Sequence, residues 1–251
     1  MPQLFRQLIG IMLLVVYGTS CGCATLFNSI NFKNAPRNSF VKIEILTTEY
    51  ASTASGVIIN HIDNSNTIIL TAGHICHSNT VGMRVLDLNE NKFNVLGFVR
   101  TTEDDLCILK IDGIIDGRPI PIASELPEIG DRAYNIAAPM GIHAPNMELM
   151  FEGYYQGKIR ISSEKNPLSV FSITGMGGSS GSPVFNENWE IVGIISRGMP
   201  DFQHIMLAVS LERIKVFYDY SLTKQFEIDM IRATAEQNKR MLDFIEKLML
   251  R

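Results

Sequence analysis

The chain is short of several things, and each shortage excludes a class of protein. Four cysteines in 251 residues are too few for a disulfide-built scaffold or an array of zinc modules. The one His/Cys grouping, His74, Cys76 and His77, lacks the spacing of a zinc site, so no metal is expected. There is no glycine-rich phosphate loop, and no cofactor is expected. Charged residues make up 19% and the net charge is −4. No basic stripe appears, which argues against nucleic acid as a partner. Strand–helix alternation is missing, which excludes a parallel α/β sheet. What is present is a globular composition, 46% hydrophobic, long enough for one large all-β domain or two smaller ones.

Charge is absent altogether from residues 8–27, just after Arg6. The core Leu8-Ile9-Gly10-Ile11-Met12-Leu13-Leu14-Val15-Val16 reads as the apolar region of an export signal. Three fates compete: cleavage near residues 20–24; retention as an anchor, since the run is near the roughly 20 residues of a spanning helix; and lipidation of Cys21 within Gly18-Thr19-Ser20-Cys21, where a larger apolar residue usually stands in place of Gly18. A buried helix of the folded domain fits worst, because small residues with Cys21 and Cys23 follow, and then a polar stretch. The expectation is an exported protein of the cell envelope, periplasmic or extracellular, with residues 1–27 a signal peptide, a lipoprotein signal or a membrane anchor. A linker at 28–39, a folded domain at 40–218 and a helical tail at 219–251 follow. In an oxidising compartment Cys76 and Cys107 would pair; two buried free thiols are the other reading.

Many short apolar segments are punctuated by Gly, Asn, Asp and Pro. Strands are expected at residues 40–45, 55–59, 67–71, 82–88, 92–100, 106–111, 133–137, 149–155, 158–162, 169–173, 191–196 and 205–209. That spacing indicates a sandwich or barrel. From Ser210 onward Gly and Pro disappear. Residues 211–218 read as a short helix and 226–250 as an amphipathic one. In the latter, Ile228, Ile231, Ala235, Leu242, Ile245 and Met249 form an apolar stripe. Packing of that stripe on the barrel is the first reading. Pairing with another copy, a homo-oligomer through the C-terminal helix, is the second.

Three polar residues stand out by their surroundings. His74 ends the apolar run Ile68-Ile69-Leu70-Thr71 after the small residues Ala72 and Gly73, which lets an imidazole sit at the rim of a core. Asp105 opens the strand Leu106-Cys107-Ile108-Leu109. Period-two alternation puts it on the face of Cys107 and Leu109, half-buried and in need of a partner. Glu103 and Asp104 read as solvated turn residues. Ser180 lies in Gly177-Gly178-Ser179-Ser180-Gly181-Ser182-Pro183, where the backbone N–H groups of Gly178 and Ser180 can converge as an oxyanion hole. Ser179 and Ser182 compete with it for the role of nucleophile.

Together these segments resemble the chymotrypsin-fold serine proteases, nearer the bacterial glutamyl-endopeptidase and HtrA-like branches and phage-encoded relatives than the digestive trypsins. Four blocks carry the likeness: Ala54-Ser55-Gly56-Val57-Ile58-Ile59, Leu70-Thr71-Ala72-Gly73-His74, Asp105-Leu106-Cys107-Ile108-Leu109-Lys110 and Gly178-Ser179-Ser180-Gly181-Ser182-Pro183-Val184. Weaker support comes from Ile129-Gly130-Asp131, Ala138-Pro139-Met140-Gly141 and Val192-Gly193-Ile194-Ile195-Ser196-Arg197-Gly198.

The resemblance implies two six-stranded antiparallel β-barrels with a C-terminal helical tail, and a serine endopeptidase acting on polypeptides. Ser180 would be nucleophile, His74 base and then acid, and Asp105 the orienting carboxylate. Ser196 and Gly198 would pair with the substrate backbone. Thr174 would lie at the base of the primary pocket. There it carries no charge, which implies small or apolar side chains. Ile195 stands where glutamyl endopeptidases place a histidine, so glutamate specificity is not implied. Ser182 replaces the glycine of digestive trypsins, as in the glutamyl endopeptidases. Ser55 stands where a cysteine usually pairs with one after the catalytic histidine, so that disulfide is absent. The chain leaves no room for a PDZ domain after the barrels. A catalytically inactive binding protein on the same fold is the alternative, and a phage processing or envelope-acting protease a third reading.

Overall fold

The computed structural model describes residues 32–250 apart from 63, 64, 102 and 200. The apolar segment at 8–27, Cys21 and Cys23 lie outside the described residues. Twelve strands form the framework. The first six are β1 (Phe40–Thr47), β2 (Ala51–Ile62), β3 (Asn66–Ala72), β4 (Thr80–Leu86), β5 (Lys92–Arg100) and β6 (Leu106–Asp112). They close into an antiparallel barrel in the order β1-β2-β3-β6-β5-β4. The second six are β7 (Arg132–Ala137), β8 (Leu149–Ile159), β9 (Leu168–Phe171), β10 (Pro183–Phe185), β11 (Ile191–Met199) and β12 (Phe202–Ser210). They close in the order β10-β11-β12-β9-β8-β7. Both barrels and the helices after them belong to one compact unit, residues 35–251.

Alternation explains the barrels. In β1, Val41, Ile43 and Ile45 point inward while Lys42, Glu44 and Leu46 point out. The first core gathers Ile58, Ile69, Val85, Leu109 and Ile111, and the second Tyr155, Phe171, Ile173, Val184 and Ile195. Closure pairs every strand on both sides, save where the short β10 leaves the end of β11 uncovered.

Two strand expectations change. The segments at 149–155 and 158–162 are one strand, β8. The polar-looking break is a bulge, where the register shifts between Tyr155 and Gly157 and Gly157 takes φ 104°. The strand β10 was missed. It has three residues and opens on Pro183, which cannot donate to a ladder.

The helices are α1 (Leu211–Ser221) and α2 (Lys224–Met249), the latter capped by Thr223 Oγ1, which accepts from the Phe226 N–H. No helix among the described residues is long and apolar enough to cross a membrane. The helix α2 packs on the first barrel, but not through the expected stripe. Its inner face is Phe226, Met230, Thr234 and Gln237. Thr234 lies so close over β5 that a Cβ on Gly97 would meet its Oγ1 at 2.6 Å. Ile228, Ile231, Leu242, Ile245 and Met249 face outward, Ile231 and Leu242 being 69% and 66% exposed. The docking surface around Gly97 wants a small, close-fitting residue, which Thr234 supplies and an isoleucine would not.

A second correction concerns Asp104. Its carboxylate is buried rather than solvated. Arg213 of α1 grips it from Nε at 3.0 and 2.9 Å and from Nη2 at 2.7 Å, and Asn166 donates to it at 2.9 Å. Desolvating a carboxylate demands such partners. The acid therefore joins the first barrel to the helix that leaves the second. Glu103 stays at the surface, as expected, with Arg213 at 3.4 Å.

Candidate active site

His74 sits in a short 3-10 turn (Gly73–Ile75) directly after β3. Gly73 is required there by space: a Cβ would stand 2.8 Å from the Leu106 nitrogen. That close approach brings the turn onto the start of β6, where Asp105 waits. The Asp105 carboxylate accepts from the His74 backbone N–H at 2.6 Å and shares a hydrogen bond with His74 Nδ1 at 2.8 Å. Its Oδ2 also accepts from Ser196 Oγ, across on β11, at 2.6 Å. Burial pushes the Asp105 carboxyl up, but the His74 and Ser196 hydrogen bonds and the His74 charge outweigh it and hold the group below its ordinary range. Two residues beyond each member of this pair, Cys76 and Cys107 form a disulfide. Of the two readings of these thiols, the structure has the pair. A crosslink closing a loop of this length constrains the unfolded chain by about 3–4 kcal/mol in the chain-entropy account.

The three candidate serines separate by environment. Ser179 is buried, and its Oγ accepts from the Met176 N–H at 3.3 Å. Ser182 is buried and accepts from Asn135 Nδ2 at 2.8 Å. Ser180 is half-buried and lines the cleft that His74 also lines, a space of about 580 Å³. Ser180 Oγ makes no hydrogen bond to His74 in this structure; such bonds are often loose without substrate.

The backbone of the turn is arranged around that hydroxyl. The N–H groups of Ser179, Gly181 and Ser182 are spent on Met176, Ile195 and Ser179 carbonyls. Those of Gly178 and Ser180 donate to no group among the described residues. The Met140 N–H takes the Gly177 carbonyl at 2.5 Å. In a trans peptide this turns the Gly178 N–H to the opposite side. Gly178 takes φ 95°, and a Cβ there would meet the Met140 nitrogen at 3.0 Å, so only glycine fits.

The turn is held by Ser55, which stood out in the sequence only as the residue in a usual cysteine's place. Ser55, fully buried on β2, donates from Oγ to the Gly178 carbonyl at 2.8 Å and accepts from the Ala138 N–H at 3.0 Å. Its backbone N–H donates to the Ser180 carbonyl at 2.8 Å. A serine just ahead of the apolar run Val57-Ile58-Ile59 was the available signal.

The remaining site residues fall as follows. Ser196 and Gly198 line the cleft. Because β10 begins opposite Ile194, the β11 edge beyond it carries no strand on that side. Ile195 is buried in the second core, behind the cleft. Thr174 is not among the lining residues, and its hydroxyl is paired with His204 Nδ1 at 2.9 Å.

Two closed barrels with a His–Asp pair and a serine turn in one cleft define the trypsin-like class of serine peptidases. The trypsin-like peptidase domain model matches residues 54–194, and the chain belongs to that family. It is a serine endopeptidase by class. No curated protein sequence matches significantly. Among solved structures, the Rv3671c protease from M. tuberculosis in its active form superposes with TM-score 0.60 at 16% identity, over 75% of this chain and 82% of that one. The serine endoprotease from Yersinia pestis gives 0.61 at 21%, over 79% and 67%. An HtrA-type protease, AlgW, solved with a tripeptide, gives 0.64 at 16%, over 77% and 63%. These likenesses bear out the fold.

Two expectations follow from the geometry. Ser55→Ala leaves the Gly178 carbonyl and the Ala138 N–H without partners and loosens the turn. We expect kcat for a peptide substrate to fall about 10-fold with KM nearly constant, for a buried hydrogen-bond loss of about 1–3 kcal/mol. A rise in KM alone would show that Ser55 does not act on the turn. The second concerns acid. The folded pKa of Asp105 is below its unfolded value of about 4, so the carboxylate contributes stability above that pH and loses it as pH falls through the lowered value. Asp105→Asn lacks this titration. In urea melts between about pH 6 and pH 3, the gap between wild type and variant should close on acidification. A constant gap would refute the assignment.

Proposed function

We propose that the protein is an endopeptidase that cleaves polypeptides through Ser180, His74 and Asp105 by way of an acyl-enzyme. The observation that carries this is a single cleft lined by the Asp105-oriented His74 and by Ser180, beside a turn whose Gly178 and Ser180 N–H groups are unspent among the described residues. In this reading His74 Nε2 takes the Ser180 Oγ proton as Oγ attacks the scissile carbonyl carbon. The new oxyanion accepts from the Gly178 and Ser180 N–H groups, each such donor being worth about 3–4 kcal/mol. His74 then gives its proton to the leaving amine, and water repeats the sequence to free Ser180. Asp105 holds Nδ1–H inward and stabilises the imidazolium. The open β11 edge at Ser196 and Gly198 offers the substrate backbone a strand to pair with. Wild-type protein should be labelled by a fluorophosphonate and cleave peptides. Ser180→Ala should lose labelling and at least about 10⁴-fold in kcat. A wild type that is neither labelled nor active on a broad peptide library would leave the inactive binding protein as the reading.

Export to the cell envelope belongs to the same proposal. The uncharged run at 8–27 and the Cys76–Cys107 disulfide support it, since such bonds persist in oxidising compartments.

The outward stripe of α2 supports a second copy of the chain as partner. Ile228, Ala235, Leu242 and Met249 are seven residues apart, with Ile231 and Ile245 beside them, the repeat of a two-stranded coil. Along the helix Lys224, Arg232, Lys239, Arg240 and Lys247 balance Glu227, Asp229, Glu236, Asp243 and Glu246, which suits a like partner better than an anionic lipid surface. Sedimentation should show a dimer that Leu242→Glu converts to monomer. A wild type that sediments as a monomer would end this reading.

A further inference from the structure

The cleft beside Ser180 is closed at its base by one side chain. Gly175 precedes the serine turn, and Gly198 lies on the open edge of β11 with Met206 opposite it in register on β12. All three line the cleft. A Cβ placed on Gly175 would overlap Met206 Cε and lie 2.9 Å from its Sδ. A Cβ on Gly198 would lie 3.3 Å from the same sulfur. The thioether therefore runs through the gap between the two glycines. Neither glycine has a positive φ, so their backbones would suit any residue. They are glycine for room, and Met206 occupies that room.

Met176 and Met199 also line the cleft, and it offers no free charged anchor. Arg197 lines it, but its Nη2 is paired with Glu164 at 2.5 Å and its Nε donates to Ser196 Oγ at 3.5 Å. Its charge is directed along the rim and already answered. Thr174, the residue at the expected base, stands outside the lining and is engaged by His204. Met206 is 3% exposed and belongs to the second barrel's core. Swinging it aside for a larger group would mean breaking packed contacts.

We infer that Met206 is the floor of the pocket for the residue on the acyl side of the scissile bond, and that it restricts this residue to glycine, alanine or serine. The inference rests on the serine endopeptidase reading and names its substrate class. A leucine or phenylalanine side chain would have to occupy the volume of the thioether. Such a residue is rejected by shape, as pockets commonly reject extra bulk.

The test is a peptide series varied only at that position, cleaved by full-length wild type, Met206→Gly and Met206→Ala, each also titrated with a fluorophosphonate. Wild type should favour alanine over phenylalanine in kcat/KM by about 100-fold, the discrimination a few methylenes command. Met206→Gly should raise kcat/KM for phenylalanine about 10-fold or more while leaving alanine within a few fold, and Met206→Ala should fall between. Wild type that is labelled but cuts after leucine or phenylalanine as fast as after alanine overturns the pocket assignment and leaves the peptidase reading intact. So does a folded, labelled variant with an unchanged profile. Wild type that is neither labelled nor active overturns both. Should the variants fail to fold, the wild-type profile alone decides.

Discussion

The cleft depends on registering two barrels against each other to a fraction of an ångström, and Ser55 is the residue through which that happens. His74 and Asp105 belong to the first barrel, Ser180 to a turn of the second. Hydrophobic packing alone does not fix such a register, because apolar contact is non-directional. Hydrogen bonds do. Ser55 sits where β2 of the first barrel meets the serine turn, and it binds the Gly178 and Ser180 carbonyls and the Ala138 N–H together. The Ser196 hydroxyl on Asp105 is the second such tie, running the other way. Each is buried or half-buried, where an unmade bond costs more than a made one gains. A sliding of the barrels is therefore penalised at the residues that line the cleft.

The same economy explains the hydroxyl at Ser55, where the proteases that the sequence resembles usually carry a half-cystine. A disulfide there would anchor the histidine turn to β2 and leave the Gly178 carbonyl unbound. The covalent tie has instead moved by one residue to Cys76 and joins it to Cys107 on β6. Histidine turn and aspartate strand are thus locked as a pair, and the freed position is given to the serine turn.

Much of this was legible in the sequence. Alternation placed nearly every strand, and the order of the histidine, aspartate and serine blocks placed the cleft. Period-two reasoning put Asp105 inward correctly. It failed for Asp104, because alternation says which side a residue faces and not what stands there. The far side was occupied by Arg213, over a hundred residues on. The α2 stripe failed for a related reason. Hydrophobicity marks a face that will be buried, yet the barrel selected the face with Thr234 because Gly97 offered a close approach. The approach of Met206 to the cleft was not legible at all. Met206 comes from a different strand, and only cross-strand register brings it between Gly175 and Gly198.

Consecutive acids with opposite duties tie the tail to the chemistry. Asp105 faces His74 and Asp104 faces Arg213, one peptide apart. The Arg213 clamp pins the residue before Asp105 from the outside while His74 and Ser196 hold Asp105 from the inside. The start of β6 is thereby gripped on both faces, which a strand end is not ordinarily. Arg213 is carried by α1, and α1 leads into α2, which packs back over β5 beside β6. The helical tail thus belongs to the support of the Asp105 carboxylate. Its loss would free Asp104 to drag a desolvated charge toward water and take the backbone of Asp105 with it.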